Sequence, residues 1–218
     1  MEDKISYAKT VYGEEEIAAV VQCLRESTQM GERSRKFESS IAQLFCKKEC
    51  LYVNSGSSAL QIGMEAFEFP AGGEIITPAP SWVSYEPQAQ IGSNKVHWLE
   101  TSKNNNWFPT ASEFEKKIKK IGKGKNLIFI LNSPNNPSGS ICKNLKDLAN
   151  IAKKYKVIIL SDEIYTDLTF DNSYQSISKF YPELTFISGG LSKWCGAGGW
   201  RLGFLAVPSK LSEFLKSL

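Results

Sequence analysis

One feature of this sequence constrains its fold more than any other. Short, nearly unbroken apolar runs (CLYVNS, EIITPAP, NKVHWLE, NLIFILNSP, VIILSDE and LTFISGG) take turns with segments whose apolar residues recur at helical spacing. Short continuous apolar runs fit strands covered on both faces, which is the pattern of a parallel sheet. The segments between them, SSALQIGMEAF, SWVSYEPQAQI, SEFEKKIKKI and LKDLANIAKKY, predict helices. Strand and helix in alternation predict an α/β fold: a three-layer sandwich with a mainly parallel sheet and helices on both sides. Ahead of it, EEEIAAVVQCLRES and RKFESSIAQLF predict an N-terminal helical segment over residues 1–45, leaving 46–218 as the sheet-bearing domain.

Composition narrows the functional classes. The chain has 218 residues, 42% hydrophobic and 22% charged, with a net charge of +3, an ordinary globular profile. No stretch reaches the roughly 20 apolar residues that span a bilayer, and the opening MEDKISYAKTVYGEEE has no apolar run to serve as a secretory signal. A cytoplasmic protein with no membrane partner is expected. Cys23, Cys46, Cys50, Cys142 and Cys195 are odd in number and scattered, so free thiols are expected, and no metal site. The basic run KKIKKIGKGK (116–125) continues a segment in which Phe114, Ile118 and Ile121 share one helical face. A solvated helix face, and no nucleic-acid partner, follows. His97, in VHW, reads as a packing residue.

The polar residues capable of chemistry fall at strand ends. Ser55 to Ser58 follow CLYVN, Asn136 follows NLIFILNSP, Asp162 ends VIILSD and Lys193 follows LTFIS. The carboxyl ends of parallel strands lie along one edge, so these residues converge on one crevice. Asn54-Ser55-Gly56-Ser57-Ser58, between a strand and a helix, fits an anion loop that offers free N–H groups and hydroxyls to a phosphate; alone, it fits a Ser/Gly helix cap as well. Asp162, at a buried strand mouth, calls for a cationic or hydrogen-bonded partner, and Tyr165 follows three residues on; alone, the pair fits a helix cap and a packed phenol. Lys193 occupies a small-residue turn, SGGLSK, where burial would favour the neutral amine needed for Schiff-base chemistry. Eight residues later Arg201 offers a planar fork among glycines, suited to phosphate.

In order, the chain carries SGSSAL at 55–60, PSWVSYEP at 80–87, NSPNNPSG at 132–139, SDEIY at 161–165 and SGGLSKWCGAGGWRLGF at 188–204. This series resembles the class I/II aminotransferases of the fold type I pyridoxal-phosphate family, across roughly residues 50–208. The resemblance implies that residues 46–218 form the large domain binding pyridoxal 5'-phosphate, and that Lys193 carries the cofactor as a Schiff base and shuttles protons. Asp162 would pair with the pyridine nitrogen, Tyr165 and Asn136 would donate to the phenolic oxygen, and Trp82 would stack on the ring. Ser55, Gly56, Ser57, Ser188 and Arg201 would hold the phosphate. The implied reaction moves an amino group between an amino acid and a 2-oxo acid, in a homodimer.

Two departures accompany the resemblance. Relatives often carry a serine three residues before the lysine, where this chain has Gly190, leaving Ser188 or Ser192 to supply that hydroxyl. Relatives are also about twice as long, so a C-terminal small domain carrying the arginine that grips the substrate carboxylate is expected to be absent. Beta-elimination or decarboxylation on the same cofactor, and a noncatalytic cofactor-binding fragment, stand as the alternatives.

Overall fold

A computed structural model describes residues 9–66, 73–122, 126–171, 173–208 and 211; the chain's first eight residues and most of 209–218 lie outside it, as do 123–125 of the basic run. Two helices, α1 (Glu14–Glu26) and α2 (Glu32–Leu44), precede the alternating part. Then follow β1 (Glu49–Val53), α3 (Gly56–Glu65), β2 (Glu74–Ala79), α4 (Tyr85–Ile91), β3 (Lys95–Glu100), α5 (Ala111–Ile121), β4 (Leu127–Asn132), α6 (Leu145–Tyr155), β5 (Ile158–Asp162), β6 (Thr185–Gly190) and β7 (Gly203–Val207). All six apolar runs become strands. The seventh strand, GFLAV, was not expected; it is a short run hidden behind the glycine-rich GGWRL.

The strands form one sheet in the order β1-β7-β6-β5-β4-β2-β3. From β3 through β6 all neighbours are parallel. β7 lies antiparallel to both β6 and β1, so β1 runs in the same direction as β2 to β6. One edge of the sheet therefore gathers the carboxyl ends of β1 to β6 and the amino end of β7. Every residue of β4, β5, β6 and β7 is buried, as continuous apolar runs require when both faces are covered.

Alternate side chains divide between two cores. Ile75, Ile128, Ile130, Leu160, Phe186 and Leu205 meet Ala59, Leu60 and Met64 of α3 and Tyr85 and Ala89 of α4. On the opposite face Ile76, Phe129, Leu131 and Ile159 meet Phe114 and Ile118 of α5 and Leu148 and Ala152 of α6. The Phe114 and Phe129 rings lie 4.3 Å apart between centroids, and burying each such side chain stabilises the fold by ~1.5–3 kcal/mol. On this same face α2 sets Ala42, Phe37 and Ile41 against Ile187, Phe204 and Ala206.

Local chemistry sets the helix limits. α5 starts in a capping box, the Thr110 hydroxyl accepting from the Glu113 N–H and the Glu113 carboxylate from the Thr110 N–H, and it stops at Gly122, whose φ of +109° suits glycine. Lys116, Lys119 and Lys120 are exposed along it, with Glu115 bridging to Lys119 and Lys154. α4 starts at Tyr85 rather than at Ser81, because Pro87 lacks an N–H and is accommodated in a first turn. α1 buries none of its residues and leaves Ile17, Val20, Val21 and Leu24 exposed. Among the described residues, no helix is long and apolar enough to cross a membrane.

Candidate functional site

At the gathered edge lies a cavity of about 330 Å³, lined by Ser55, Gly56, Ser57, Leu60, Trp82, Tyr85, Asn132, Asn136, Asp162, Ile164, Tyr165, Ser192, Lys193, Gly198, Arg201 and Leu202. Nearly every residue singled out in the sequence faces this one space, although they are spread over some 150 positions of the chain.

The α3 end is built from β1 and β7 together. Ser55 is the N-cap, its Oγ accepting from the Ser58 N–H at 3.1 Å. A helix start leaves N–H groups without helical partners and carries a positive dipole end, so Gly56 and Ser57 present an anion-binding surface. Gly203 makes this possible, since a Cβ there would lie 2.3 Å from the Ser55 carbonyl carbon and 2.5 Å from the Gly56 nitrogen. Because β7 runs antiparallel, the residues before it share this edge. Among them is Arg201, exposed, with a left-handed backbone (φ +55°) and with Nη1 donating to the Gly198 carbonyl at 2.9 Å.

Asp162, at the end of β5, forms the cavity floor and is only 6% exposed. Its Oδ2 accepts from the Tyr85 hydroxyl at 2.7 Å, and its Oδ1 accepts from the Ile164 N–H at 3.3 Å. Burial pushes its carboxyl up to about 6, against the opposing pull of Tyr85, the Ile164 N–H, Lys193 and Ser188. Burial, and then the Asp162 charge, likewise push the Tyr85 phenol well above its usual range. Asn132, in register beside Asp162, donates from Nδ2 to the Asp162 carbonyl at 3.0 Å and accepts the Asn136 N–H at 2.7 Å. The loop after β4 is thereby held so that Asn136 Nδ2 donates to the Tyr165 hydroxyl at 3.3 Å.

Trp82 is half-buried, its ring packed edge-on to Tyr85 with centroids 5.4 Å apart. Lys193 stands at the cavity mouth, its Nζ 5.9 Å from the centre of the Tyr165 ring. Sequence reasoning expected this lysine to be buried; it is exposed, because its turn lies beyond the end of β6, where the cavity opens to solvent.

Ser188 does not join the cavity wall. It is fully buried within β6, in register with Asp162, and its Oγ lies 3.4 Å from the Ser161 carbonyl oxygen. Ser192 lines the cavity instead. The unexpected Gly190 has a steric cause: a Cβ there would lie 2.7 Å from the Leu202 carbonyl oxygen and 3.3 Å from the Gly203 Cα. Tyr85 and Asn132 were missed in the sequence, although each lies inside a quoted motif. His97 pairs with Glu74 away from the cavity. Among the described residues, no group of three or more His, Cys, Asp or Glu could hold a metal ion.

The sequence profile of the family described as "Aminotransferase class I and II" matches residues 15–218. An aspartate aminotransferase of Pyrococcus horikoshii is 35% identical over 150 residues, covering 67% of this chain and 37% of the relative. A Bacillus subtilis protein named as an aminotransferase, YugH, is 36% identical over 170 residues, covering 76% of this chain and 42% of its own length. The chain thus spans about two fifths of the length of these relatives. In fold it is similar to the aspartate aminotransferase of Thermus thermophilus, with a TM-score of 0.81, 24% identity, and coverage of 92% of this chain and 55% of that one.

Proposed function

This chain belongs to the class I and II aminotransferase family, and from that premise we propose that it forms the pyridoxal-phosphate-binding part of an enzyme that moves an amino group between an amino acid and a 2-oxo acid. The observation that carries the reading is the buried Asp162 carboxylate on the floor of a cavity with Lys193 at its mouth. A carboxylate so deeply buried, with the Tyr85 phenol and the Ile164 N–H as its main donors, is stabilised by a close cationic partner, and a protonated pyridine nitrogen is one.

The remaining residues match the other parts of the cofactor. Gly56, Ser57 and the Ser55 hydroxyl at the start of α3, with the Arg201 fork, would hold the phosphate. Tyr165 and Asn136, already bonded to each other, would meet the ring's phenolic oxygen, and Trp82 would cover a ring face. Bound pyridoxal phosphate supplies an electron-accepting ring that stabilises negative charge at the substrate's alpha carbon.

Lys193 Nζ would hold the cofactor covalently and would carry the proton away from the substrate's alpha carbon. Asp162 would hold a proton on the ring nitrogen, and Tyr85 and the Ile164 N–H keep its carboxylate oriented. Trp82 and Leu60 exclude water from the reacting centre. Its small-molecule partners are amino acids and 2-oxo acids, and its macromolecular partner is a second copy of the chain. Supporting the last point, α1 leaves Ile17, Val20, Val21 and Leu24 uncovered.

The test is direct. The chain mixed with pyridoxal phosphate should develop a visible absorption band, borohydride should fix the cofactor, and peptide mass mapping should find it on Lys193. Lys193→Ala should lose both signals. A borohydride-stable adduct surviving in that variant would overturn the assignment.

A further inference from the structure

Glu163, next to Asp162, is the second carboxylate at the end of β5, and it projects from the opposite face of the strand. It is 4% exposed and shares its face with Ser161, as residues two apart on a strand do. Its Oε1 accepts from the Ser161 hydroxyl at 2.8 Å and from the Ser176 hydroxyl at 2.7 Å, while its backbone N–H donates to the Ser188 carbonyl at 2.9 Å. The Tyr174 hydroxyl interacts with the same carboxyl. Neither Glu163 Oε2 nor the Tyr174 hydroxyl completes a hydrogen bond of full geometry.

Lys47, itself buried, donates from Nζ to the Pro182 and Thr185 carbonyls at 2.8 and 2.9 Å and brings a positive charge that interacts with Glu163. Burying a carboxylate is costly unless hydrogen bonds and charge offset it, and packing alone would be served by a leucine. The groups that offset it here come from two directions in the chain. Ser161 belongs to β5, whereas Tyr174 and Ser176 belong to the segment leading into β6. Between these anchors lies the turn that carries Ile164, whose N–H meets Asp162, and Tyr165, whose hydroxyl meets Asn136. The turn is closed by the Thr166 N–H donating to the Glu163 carbonyl at 3.3 Å.

Resting on the cofactor site proposed above, we propose that Glu163 is a positioning residue of that site. Its carboxyl clasps the Tyr174–Ser176 segment to β5 from behind the sheet, and so fixes the turn that presents Asp162 and Tyr165 to the cavity. It touches neither cofactor nor substrate.

Two measurements on the full 218-residue chain test this. Amide hydrogen exchange of the cofactor-free protein should rise about tenfold across residues 164–168 and 174–176 in Glu163→Leu, and about threefold in Ser176→Ala, which removes one hydroxyl and no charge. Glu163→Gln, able to accept from both serines and donate toward Tyr174, should stay within about threefold of wild type. Pyridoxal phosphate affinity, from absorbance titration, should fall about tenfold in Glu163→Leu and be largely restored in Glu163→Gln. Ile118→Ala, a core cavity under α5 with comparable loss of stability, should loosen neither segment and leave that affinity unchanged. Unchanged exchange in both Glu163→Leu and Ser176→Ala, or equal loosening of these segments by Ile118→Ala, would overturn the proposal. A wild-type chain that takes up no cofactor would sink the parent reading, while the exchange comparison would still decide whether Glu163 clasps the turn.

Discussion

Asp162→Asn should stabilise the cofactor-free chain at neutral pH, although it removes a residue central to the site. The folded carboxyl sits at about 6 against an ordinary value of 3.8, with burial as the main cause. A carboxyl that holds its proton more tightly when folded contributes stability that is fully present below about 3.8 and is lost as pH rises through about 6. The full gap corresponds to about 3 kcal/mol at pH 7. Asparagine carries no charge and still offers an acceptor to the Ile164 N–H, so the variant escapes this loss. Urea unfolding of both proteins at intervals from about pH 4 to 7.5 measures it; Glu163 is raised mainly by burial in both, and the variant loses only the smaller push that the Asp162 charge gives it. The variant's advantage should be near zero at pH 4 and grow to ~2–3 kcal/mol by pH 7. With pyridoxal phosphate present the order should reverse, because a ring cation rewards the wild-type charge. An advantage independent of pH, or a variant less stable than wild type at pH 7 without cofactor, would refute the reasoning. It would show that Tyr85 and the Ile164 N–H already satisfy the carboxylate.

Other substitutions probe the same edge. Tyr85→Phe removes the 2.7 Å donor to Asp162; it should cost ~1–3 kcal/mol at neutral pH and move the Asp162 transition to higher pH, both visible in the same urea series. Gly203→Ala places a Cβ against the backbone of Ser55 and Gly56, which cannot rotate aside. It should lower stability by ~1–3 kcal/mol and weaken pyridoxal phosphate binding in a titration. Gly199→Ala, with nothing within 4 Å of its Cβ, should do neither.

Much of this was legible in the sequence, and for identifiable reasons. Strands such as LIFIL and VIIL are buried on both faces, and that environment leaves an unmistakable apolar run. Ser55, Asn136, Asp162 and Lys193 could be brought together because parallel strands put their ends on one edge, a property of topology rather than of contact. What escaped depended on side-chain direction. Tyr85 lies 77 residues from Asp162, and no periodicity announces that its hydroxyl reaches that carboxylate. Ser188 was expected among the phosphate ligands but lies within the sheet, beside Asp162, rather than on the cavity wall. Lys193 was expected to be buried on chemical grounds, whereas the openness of a turn beyond a strand end is decided by whatever packs around it. β7 was missed because a five-residue strand flanked by glycine and proline has little pattern to show.

The placement of β7 also sets an order of events during synthesis. β1 joins the sheet through β7 alone, so while residues 203–207 are still inside the ribosome, the emerged β1 has no ladder to enter. The helix start at Ser55 and Gly56 is then unbraced, because Gly203 has not yet come up against it. The first anion-binding element to be translated is thus among the last to take shape. The arrival of one short strand, from about 150 residues downstream, closes the sheet and brings Arg201 to the helix start in the same step. Such a distant pairing makes this closure a late and slow part of folding, and it ties the capacity to take up an anion to completion of the sheet.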